Sequence, residues 1–310
     1  MKKYNLWVIC LLFGLVACDS VEDKKGRFLL KGNEKLAEND PKGAIEFYQE
    51  ALELDSLYKD AYFNKALAHL ELNQLNESIY DFSRAIQIDQ NYVEAIFQRG
   101  LTYLDNGEFY KARADADLLL DKAPEDWKSF FLLGLSQEKL KKYQEALIAF
   151  EKSKELDPEN SDLWVNQATI QFYLKNYEGS LESLEKAEEL NPRESNIYNL
   201  RSMIFFDQKR YTEAKTEVDK ALEISPGQAY YYNNKGLYLI YLDDLEGGLD
   251  LINQSIKMDP RNPFALRNKG IYYVLKGDKE SALSYLEKLN SDYPEMDLVQ
   301  EFYSKAQALD

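Results

Sequence analysis

The chain has 310 residues, with 54 acidic against 38 basic side chains and a formal net charge of -16. It contains only 14 glycines and 8 prolines, which is too few turn residues for an all-β fold of many short strands. One histidine and two cysteines exclude most zinc sites, catalytic triads and disulfide frameworks. The acidic balance also argues against nucleic acid, because phosphate binding depends on clustered Lys and Arg.

The N-terminus is typical of a secretory signal. A basic start at Met1–Lys3 precedes an apolar run from Leu6 to Ala17. A transmembrane helix needs about 20 such residues, and this run is shorter. We therefore predict a cleaved signal peptide over residues 1–17.

Leu15-Val16-Ala17-Cys18 resembles the lipobox of bacterial lipoproteins. The resemblance implies that Cys18 is acylated and becomes the first residue of the mature chain. Residues 18–24 would then be a short linker, which places the folded part close to a membrane of the bacterial cell envelope, either the outer membrane or the periplasmic face of the inner one. The alternative is an ordinary signal peptide that leaves Cys18 free or paired.

One sequence period organises the rest of the chain. Six of the eight prolines are spaced 34 residues apart, at Pro124, Pro158, Pro192, Pro226, Pro260 and Pro294. Two further registers with the same spacing contain only small residues: Gly32, Ala66, Gly100, Gly134, Ala168, Ser202, Gly236 and Gly270; and Ala44, Ser78, Ala112, Ala146, Ser180, Ala214, Gly248 and Ala282. A fixed period of this length predicts a repeat architecture without insertions.

Each period reads as two helices joined by a short polar link. Helix axes approach closely where small residues meet, so the two small registers mark the crossing point. Aromatic residues such as Tyr143, Tyr177 and Tyr211 start the second helix, and proline ends it. The sequence thus predicts an all-α fold of eight helix-turn-helix units over residues 25–296. Helical spacing of apolar residues over 295–310 predicts a capping helix.

The period, its small positions eight and twenty, its aromatic fourth position and its proline at position thirty-two resemble the tetratricopeptide repeat. The resemblance implies a right-handed α-solenoid. It also implies that positions two, five, six, nine, twelve and thirteen of each first helix face a concave groove.

Carboxamides recur at the sixth position of this groove, at Asn64, Gln98, Asn166, Asn234 and Asn268. A side-chain amide both donates and accepts, so such a ladder can bind the backbone of an extended peptide. The alternative is that Asn is only tolerated on a solvated helix face. Phenylalanines occupy the fifth position of three units, at Phe63, Phe97 and Phe131, and either line the groove or pack between first helices.

Charges in the groove exclude one mode of binding. A clamp for a carboxylate terminus requires cations, but Leu29, Glu94 and Gln98 occupy those positions. Acids at the second position, at Asp60, Glu94 and Asp162, suggest a basic ligand or simply favourable interaction with the helix dipole.

These patterns predict a lipid-anchored adaptor that binds a peptide segment of a partner protein in cell-envelope assembly or processing. No catalytic, cofactor or metal site is expected, and His69 is read as a packing residue. The only membrane contact expected is the lipid anchor. The alternative function is glycan binding by groove aromatics, for which Trp127 and Trp164 are the available tryptophans.

Overall fold

The computed structural model describes residues 20–310, and this part of the chain is helical with short turns and no strand. The predicted signal peptide and Cys18 lie outside the described residues. Within 20–310 there are seventeen helices, arranged as eight consecutive helix-turn-helix pairs and one terminal helix. The all-α prediction is confirmed. No helix in this range combines the length and the apolar character needed to cross a membrane.

The first helices of the eight pairs are α1 Val21–Ala37, α3 Lys59–Glu71, α5 Val93–Asp105, α7 Trp127–Lys139, α9 Ser161–Tyr173, α11 Ser195–Asp207, α13 Ala229–Tyr241 and α15 Pro263–Lys276. The second helices are α2 Pro41–Leu54, α4 Leu75–Ile88, α6 Phe109–Lys122, α8 Tyr143–Leu156, α10 Tyr177–Leu190, α12 Tyr211–Ile224, α14 Leu245–Met258 and α16 Lys279–Asp292, and the terminal helix is α17 Val299–Gln307.

The first helix starts earlier than the sequence predicts. Ser20 caps α1 by accepting a hydrogen bond from the Asp23 backbone N–H at 3.0 Å, and the Asp23 carboxylate accepts one from the Ser20 N–H at 3.2 Å. This reciprocal cap fixes the helix start. Residues 18–24 were predicted as a linker, and this boundary is corrected because the chain is already helical from Val21.

The turn between the helices of each pair contains one residue with positive φ. The values lie between 55° and 75°, and the residues are spaced 34 apart, at Asn39, Asn73, Gly107, Lys141, Lys175, Lys209, Asp243 and Gly277. A left-handed residue allows the chain to leave one helix and reverse direction. Only two of these residues are glycine, so this register escaped the composition-based analysis.

The described chain divides into two compact units, residues 20–140 and 141–310. In each unit every helix packs against the next one in the chain, as in an α-solenoid. In the second unit each first helix also contacts the following first helix, so α9, α11, α13 and α15 lie side by side.

In the pairs that lie within one unit, small residues lie where the two helices pack, as predicted. All members of both small registers are buried. Gly236 of α13 faces Gly248 of α14, and a Cβ atom built on Gly236 would lie 2.8 Å from the carbonyl oxygen of Gly248. Ser180 of α10 instead donates its hydroxyl to the carbonyl of Ala168 in α9, at 2.8 Å.

The terminal helix α17 closes the second unit. It packs on α15 and α16 and buries Val299, Phe302 and Ala306. Its start follows Leu298, which has a φ of 67°.

Candidate functional site

The candidate site is the first-helix face, which we define as the side of the first helices that carries positions two, five, six and thirteen of each unit. These positions share one side because helix spacings of three, four and seven bring side chains together. The two units are described separately.

The carboxamides of the second unit are partly buried and bonded to the protein. The Asn166 side chain donates to the backbone carbonyl of Asp162 in its own helix, at 2.7 Å. Asn234 in α13 donates to the side-chain oxygen of Asn199 in α11, at 2.9 Å. The amide of Asn234 therefore links α13 to α11, whereas that of Asn166 bonds within α9. Each still has hydrogen-bonding capacity, since an amide carries two donor hydrogens and an acceptor oxygen.

Asn268 does not belong to an accessible ladder. It is fully buried, donates to Asn233 Oδ1 at 2.8 Å and accepts from Arg267 Nε at 2.9 Å. We correct its predicted groove role: its neighbours at the fifth position are polar and cover it. Of the five predicted carboxamides, Asn268 alone is completely buried, because α13 and α15 pack around it.

Two of the predicted carboxamides lie in the first unit, and both are partly buried. Asn64 donates to Asn33 Oδ1 at 3.0 Å, and the same oxygen accepts the Tyr48 hydroxyl at 2.8 Å. Gln98 donates to Glu94 Oε1 at 3.0 Å. Here too the predicted ladder residues bond within the unit.

The groove phenylalanines divide between the two predicted roles. Phe97 is buried, with its ring centroid 6.4 Å from that of Trp127 and 6.5 Å from that of Phe131, so its predicted groove role is corrected to packing. Phe63 and Phe131 are partly exposed. Both rings also have a packing role. The ring centroid of Phe63 lies 5.2 Å from that of Tyr92, and Phe131 contacts Phe97 as described above.

The acidic side chains at the second position differ in whether a cation lies beside them. Lys128 lies 2.6 Å from Glu94 and neutralises it. Asp162 has no such cation beside it; partial burial and the negative charge of Glu194 raise its pKa. The Asp60 carboxylate accepts a long hydrogen bond from the Tyr92 hydroxyl, at 3.4 Å. Of these three acids only Glu94 is therefore paired with a cation among the described residues, and Asp162 lies close enough to Glu194 to be affected by its negative charge.

The sequence analysis did not identify a row of aromatic residues in the second unit. Tyr143 and Tyr173 have ring centroids 5.0 Å apart, and so have Tyr211 and Tyr241. Between these two pairs Asp207 occupies the equivalent place and accepts from the Tyr177 hydroxyl at 2.8 Å and the Lys175 ammonium at 3.0 Å. The available signal was again the period, since Tyr173, Asp207, Tyr241 and Leu275 are 34 residues apart.

Several large apolar side chains on the second unit's first-helix face are well exposed. The exposed fractions are 42% for Tyr173, 37% for Tyr230, 50% for Phe264 and 49% for Leu275. They occupy positions two and thirteen, at the edges of the face. Such side chains offer contact area to a ligand that lies across the helices.

The tryptophans considered for glycan stacking make contacts within the protein. Trp164 donates its indole N–H to the Pro158 carbonyl at 2.8 Å, and the Lys154 ammonium lies 4.3 Å from the ring centroid. Trp127 packs edge-on against Phe131, at 5.7 Å. Within residues 20–310 no group of three or more His, Cys, Asp or Glu side chains is arranged to hold a metal ion.

The paired helices and their stacking define a helical-repeat protein. Family models described as "TPR repeat" or "Tetratricopeptide repeat" match residues 28–56, 68–107, 97–161, 165–229 and 264–295. Together they span more than half of the chain, which belongs to the tetratricopeptide-repeat proteins. Proteins of this kind are generally interaction scaffolds without catalytic activity. None of the curated proteins matches the sequence significantly.

Solved structures share the fold at low sequence identity. PilF of Pseudomonas aeruginosa is 20% identical with a TM-score of 0.55, over 70% of this chain and 98% of that one. A tetratricopeptide repeat protein from Parabacteroides merdae is 15% identical with a TM-score of 0.50, over 92% and 99%. MamA from Desulfovibrio magneticus RS-1 is 18% identical with a TM-score of 0.51, over 56% and 99%.

Proposed function

We propose that this protein is a lipid-anchored adaptor of the bacterial cell envelope that binds an extended peptide segment of a partner protein. The proposal has two separable parts, the peptide surface and the anchor. The repeat fold supports the adaptor role, because stacked helical pairs display a long surface and enclose no deep catalytic cavity.

The observation that carries the peptide surface is the combination of exposed apolar and amide side chains in the second unit. Tyr173, Tyr230 and Phe264 supply apolar area, and Asn166 and Asn234 lie between them along the helices with hydrogen-bonding capacity to spare. An extended segment needs both, since its backbone must be hydrogen-bonded while its side chains are desolvated.

The same surface favours a particular partner chemistry. Aromatic and aliphatic side chains of the segment would pack on the exposed rings, and a basic side chain would meet Asp162 and Glu194, where like charges lie close together. We therefore expect a segment that is mostly apolar and carries one or more Lys or Arg residues.

Crosslinking and affinity capture from intact cells test this surface. The double variant Asn166→Ala plus Asn234→Ala should recover its principal partner about tenfold less than wild type, equivalent to about 1.4 kcal/mol from lost hydrogen bonds. The matched control is Gln144→Ala plus Gln254→Ala, which removes two exposed carboxamides from the second helices α8 and α14. Equal recovery by all three proteins would reject the first-helix face as the binding surface.

The anchor part of the proposal rests on the lipobox-like sequence ending at Cys18. Several acyl chains would hold the protein on the membrane without any apolar surface of its own, because each buried methylene contributes about 0.8 kcal/mol. Metabolic labelling with a radioactive fatty acid should label the wild type and not Cys18→Ser. An unlabelled wild-type protein would refute the anchor and leave the peptide surface untouched.

A further inference from the structure

The first helix α1 begins very close to the predicted lipid anchor. Ser20 caps the helix, so only Asp19 lies between the cap and Cys18. Two residue steps span at most about 7 Å, even in a fully extended chain. An acyl group on Cys18 would therefore place the start of α1 at the membrane surface and leave too little chain for the first unit to turn freely.

The outer face of α1, defined as the side turned away from α2 and α3, is not covered by another helix within residues 20–310. In α3, α5 and α7 the equivalent side packs on the preceding second helix, as Ala61 and Ala68 do on α2. Its third and tenth positions there carry small buried residues: Ala61, Ala95 and Ser129; and Ala68, Thr102 and Ser136. In α1 the same two positions carry Arg27 and Glu34, both exposed. Charged side chains at these positions suit water or lipid headgroups and not a further helical pair.

Basic side chains form a stripe on this outer face. Lys24, Arg27 and Lys31 are spaced by three and four residues, so they lie on one side of α1, and all three are exposed. Residues 20–31 contain four bases and two acids, whereas the whole chain has a net charge of -16. An anionic membrane would therefore attract this end of the first unit and repel the acidic remainder of the chain.

The acids near the stripe do not cancel its charge. The ammonium of Lys25, which is not part of the stripe, binds Glu22 at 2.7 Å. Asp23 is held in the helix cap by Ser20 and offsets at most one of the three positive charges. Glu34 lies about 21 Å along the helix from Ser20, since each residue adds about 1.5 Å. The positive charge is thus concentrated at the end of α1 next to Cys18.

Two large apolar side chains are exposed on the same helix. Val21 at the helix start is 56% exposed, and Leu30 beside the stripe is 61% exposed. At a membrane interface such side chains leave water while neighbouring lysine and arginine side chains keep their charges among the headgroups.

We propose that the outer face of α1 rests on anionic phospholipid headgroups and sets the orientation of the first unit on the membrane. This inference rests on the proposed lipid anchor, which supplies the attachment. It adds a membrane contact beyond the anchor, which the sequence analysis did not expect.

Fluorescence quenching on the mature lipidated protein in vesicles tests this orientation. Cys10 and Cys18 are the only cysteines, so after signal cleavage and acylation Leu30→Cys supplies a single free thiol for a fluorophore. In vesicles of phosphatidylcholine and phosphatidylglycerol, lipids spin-labelled on the headgroup should cause a large loss of its fluorescence. The control is the same label at Tyr110→Cys, since Tyr110 is 78% exposed on α6. It should lose much less fluorescence.

A charge variant separates attraction by the stripe from the short distance to the anchor. Each Lys or Arg near an anionic surface strengthens the attraction about fivefold. Replacing Lys24, Arg27 and Lys31 by Gln should therefore remove the additional quenching at position 30. Vesicles of phosphatidylcholine alone should give the same loss for the wild-type stripe.

The matched control removes three basic residues from α6 by replacing Lys111, Arg113 and Lys122 with Gln. It should keep the quenching at position 30. Circular dichroism of each variant confirms that it is folded.

The possible failures are distinguishable. Equal quenching at positions 30 and 110, or unchanged quenching after the three substitutions in α1, would overturn the orientation while the protein still floats with the vesicles. A protein that does not float and carries no fatty acid would refute the anchor, and the orientation with it.

Discussion

At the scale of single residues, the absence of a side chain decides how closely the helices approach. Gly236 and Gly248 face each other across α13 and α14, and a Cβ on either would lie within 2.8 Å of the other's carbonyl oxygen. Backbone atoms cannot move aside as a flexible side chain does, so this crossing needs glycine on both helices.

Gly236→Ala should therefore destabilise the protein by about 1–3 kcal/mol, the usual cost of overpacking. Urea unfolding followed by circular dichroism measures the change. Gly26→Ala in α1 is the control, because no atom lies within 4 Å of the Cβ it would add; it should stabilise by up to about 1 kcal/mol through helix propensity. If both substitutions had the same effect, close approach would not be the reason for glycine at position 236.

Two carboxyl groups at equivalent positions, Asp81 and Asp115, are buried. Burial raises the pKa of Asp81, and Lys65 and His69 partly counteract the rise. Burial also raises the pKa of Asp115 despite its two hydrogen bonds to Arg99. Because the folded-state pKa of each carboxyl is raised, its contribution favours folding at acidic pH and is lost as the pH increases through the folded pKa.

At the scale of elements, the terminal helix α17 protects the last repeat. It covers the face of α15 and α16 that another helical pair would otherwise cover. Arg267 of α15 supports it by donating to the backbone carbonyl of Asp297 at 3.0 Å, just before α17 begins. Burial lowers the pKa of this guanidinium to about 10, so its hydrogen bonds must offset a considerable desolvation cost.

Phe302→Ala should loosen this cap, because the ring is buried against the core of the second unit. The expected loss is about 3 kcal/mol, at the lower end for a buried phenylalanine because a terminal helix can shift to fill the space. Hydrogen exchange should show reduced protection in α15–α17 and unchanged protection in α3–α5.

The exposed Glu301→Ala in the same helix is the control, with an expected change below about 1 kcal/mol for its surface pair with Lys305. Unchanged protection of α15–α17 in Phe302→Ala would mean that α17 does not stabilise the last repeat.

At the scale of the whole molecule, the unbroken period makes the repeats exchangeable. Within each unit a helix contacts mainly its neighbours in the chain, so the stability of a unit is close to a sum of repeat and interface contributions. Removing a complete period leaves the small registers and the turn positions in phase, whereas removing half a period does not.

Deletion of residues 195–228, which comprise α11, α12 and their turns, should give a helical protein that unfolds cooperatively at a lower temperature. Deletion of 195–210 removes α11 and its turn alone, and should abolish cooperative unfolding because α10 is then followed by another second helix. Thermal circular dichroism compares the two. Similar melting curves for both deletions would show that the 34-residue period is not the unit of stability.

The sequence by itself determined the helical pairs, their length and their crossing points. This information is local, because residue spacing within a helix fixes which side chains share a face, and a repeated spacing fixes the same arrangement in each unit. The starts of α8, α10 and α12 at tyrosines follow the prediction. The start of α1 did not, since the cap formed by Ser20 and Asp23 lies outside the repeat pattern.

Only the tertiary structure decided which side chains of one register are accessible. Asn166 and Asn268 occupy the same position of their repeats, yet Asn166 is partly exposed and Asn268 is sealed by Asn233 and Arg267. Lys65 and Arg99 are likewise equivalent, yet one leaves a carboxylate oxygen unpaired. The physical reason is that accessibility depends on the shape and donors of residues from neighbouring helices, which the period of the sequence does not specify.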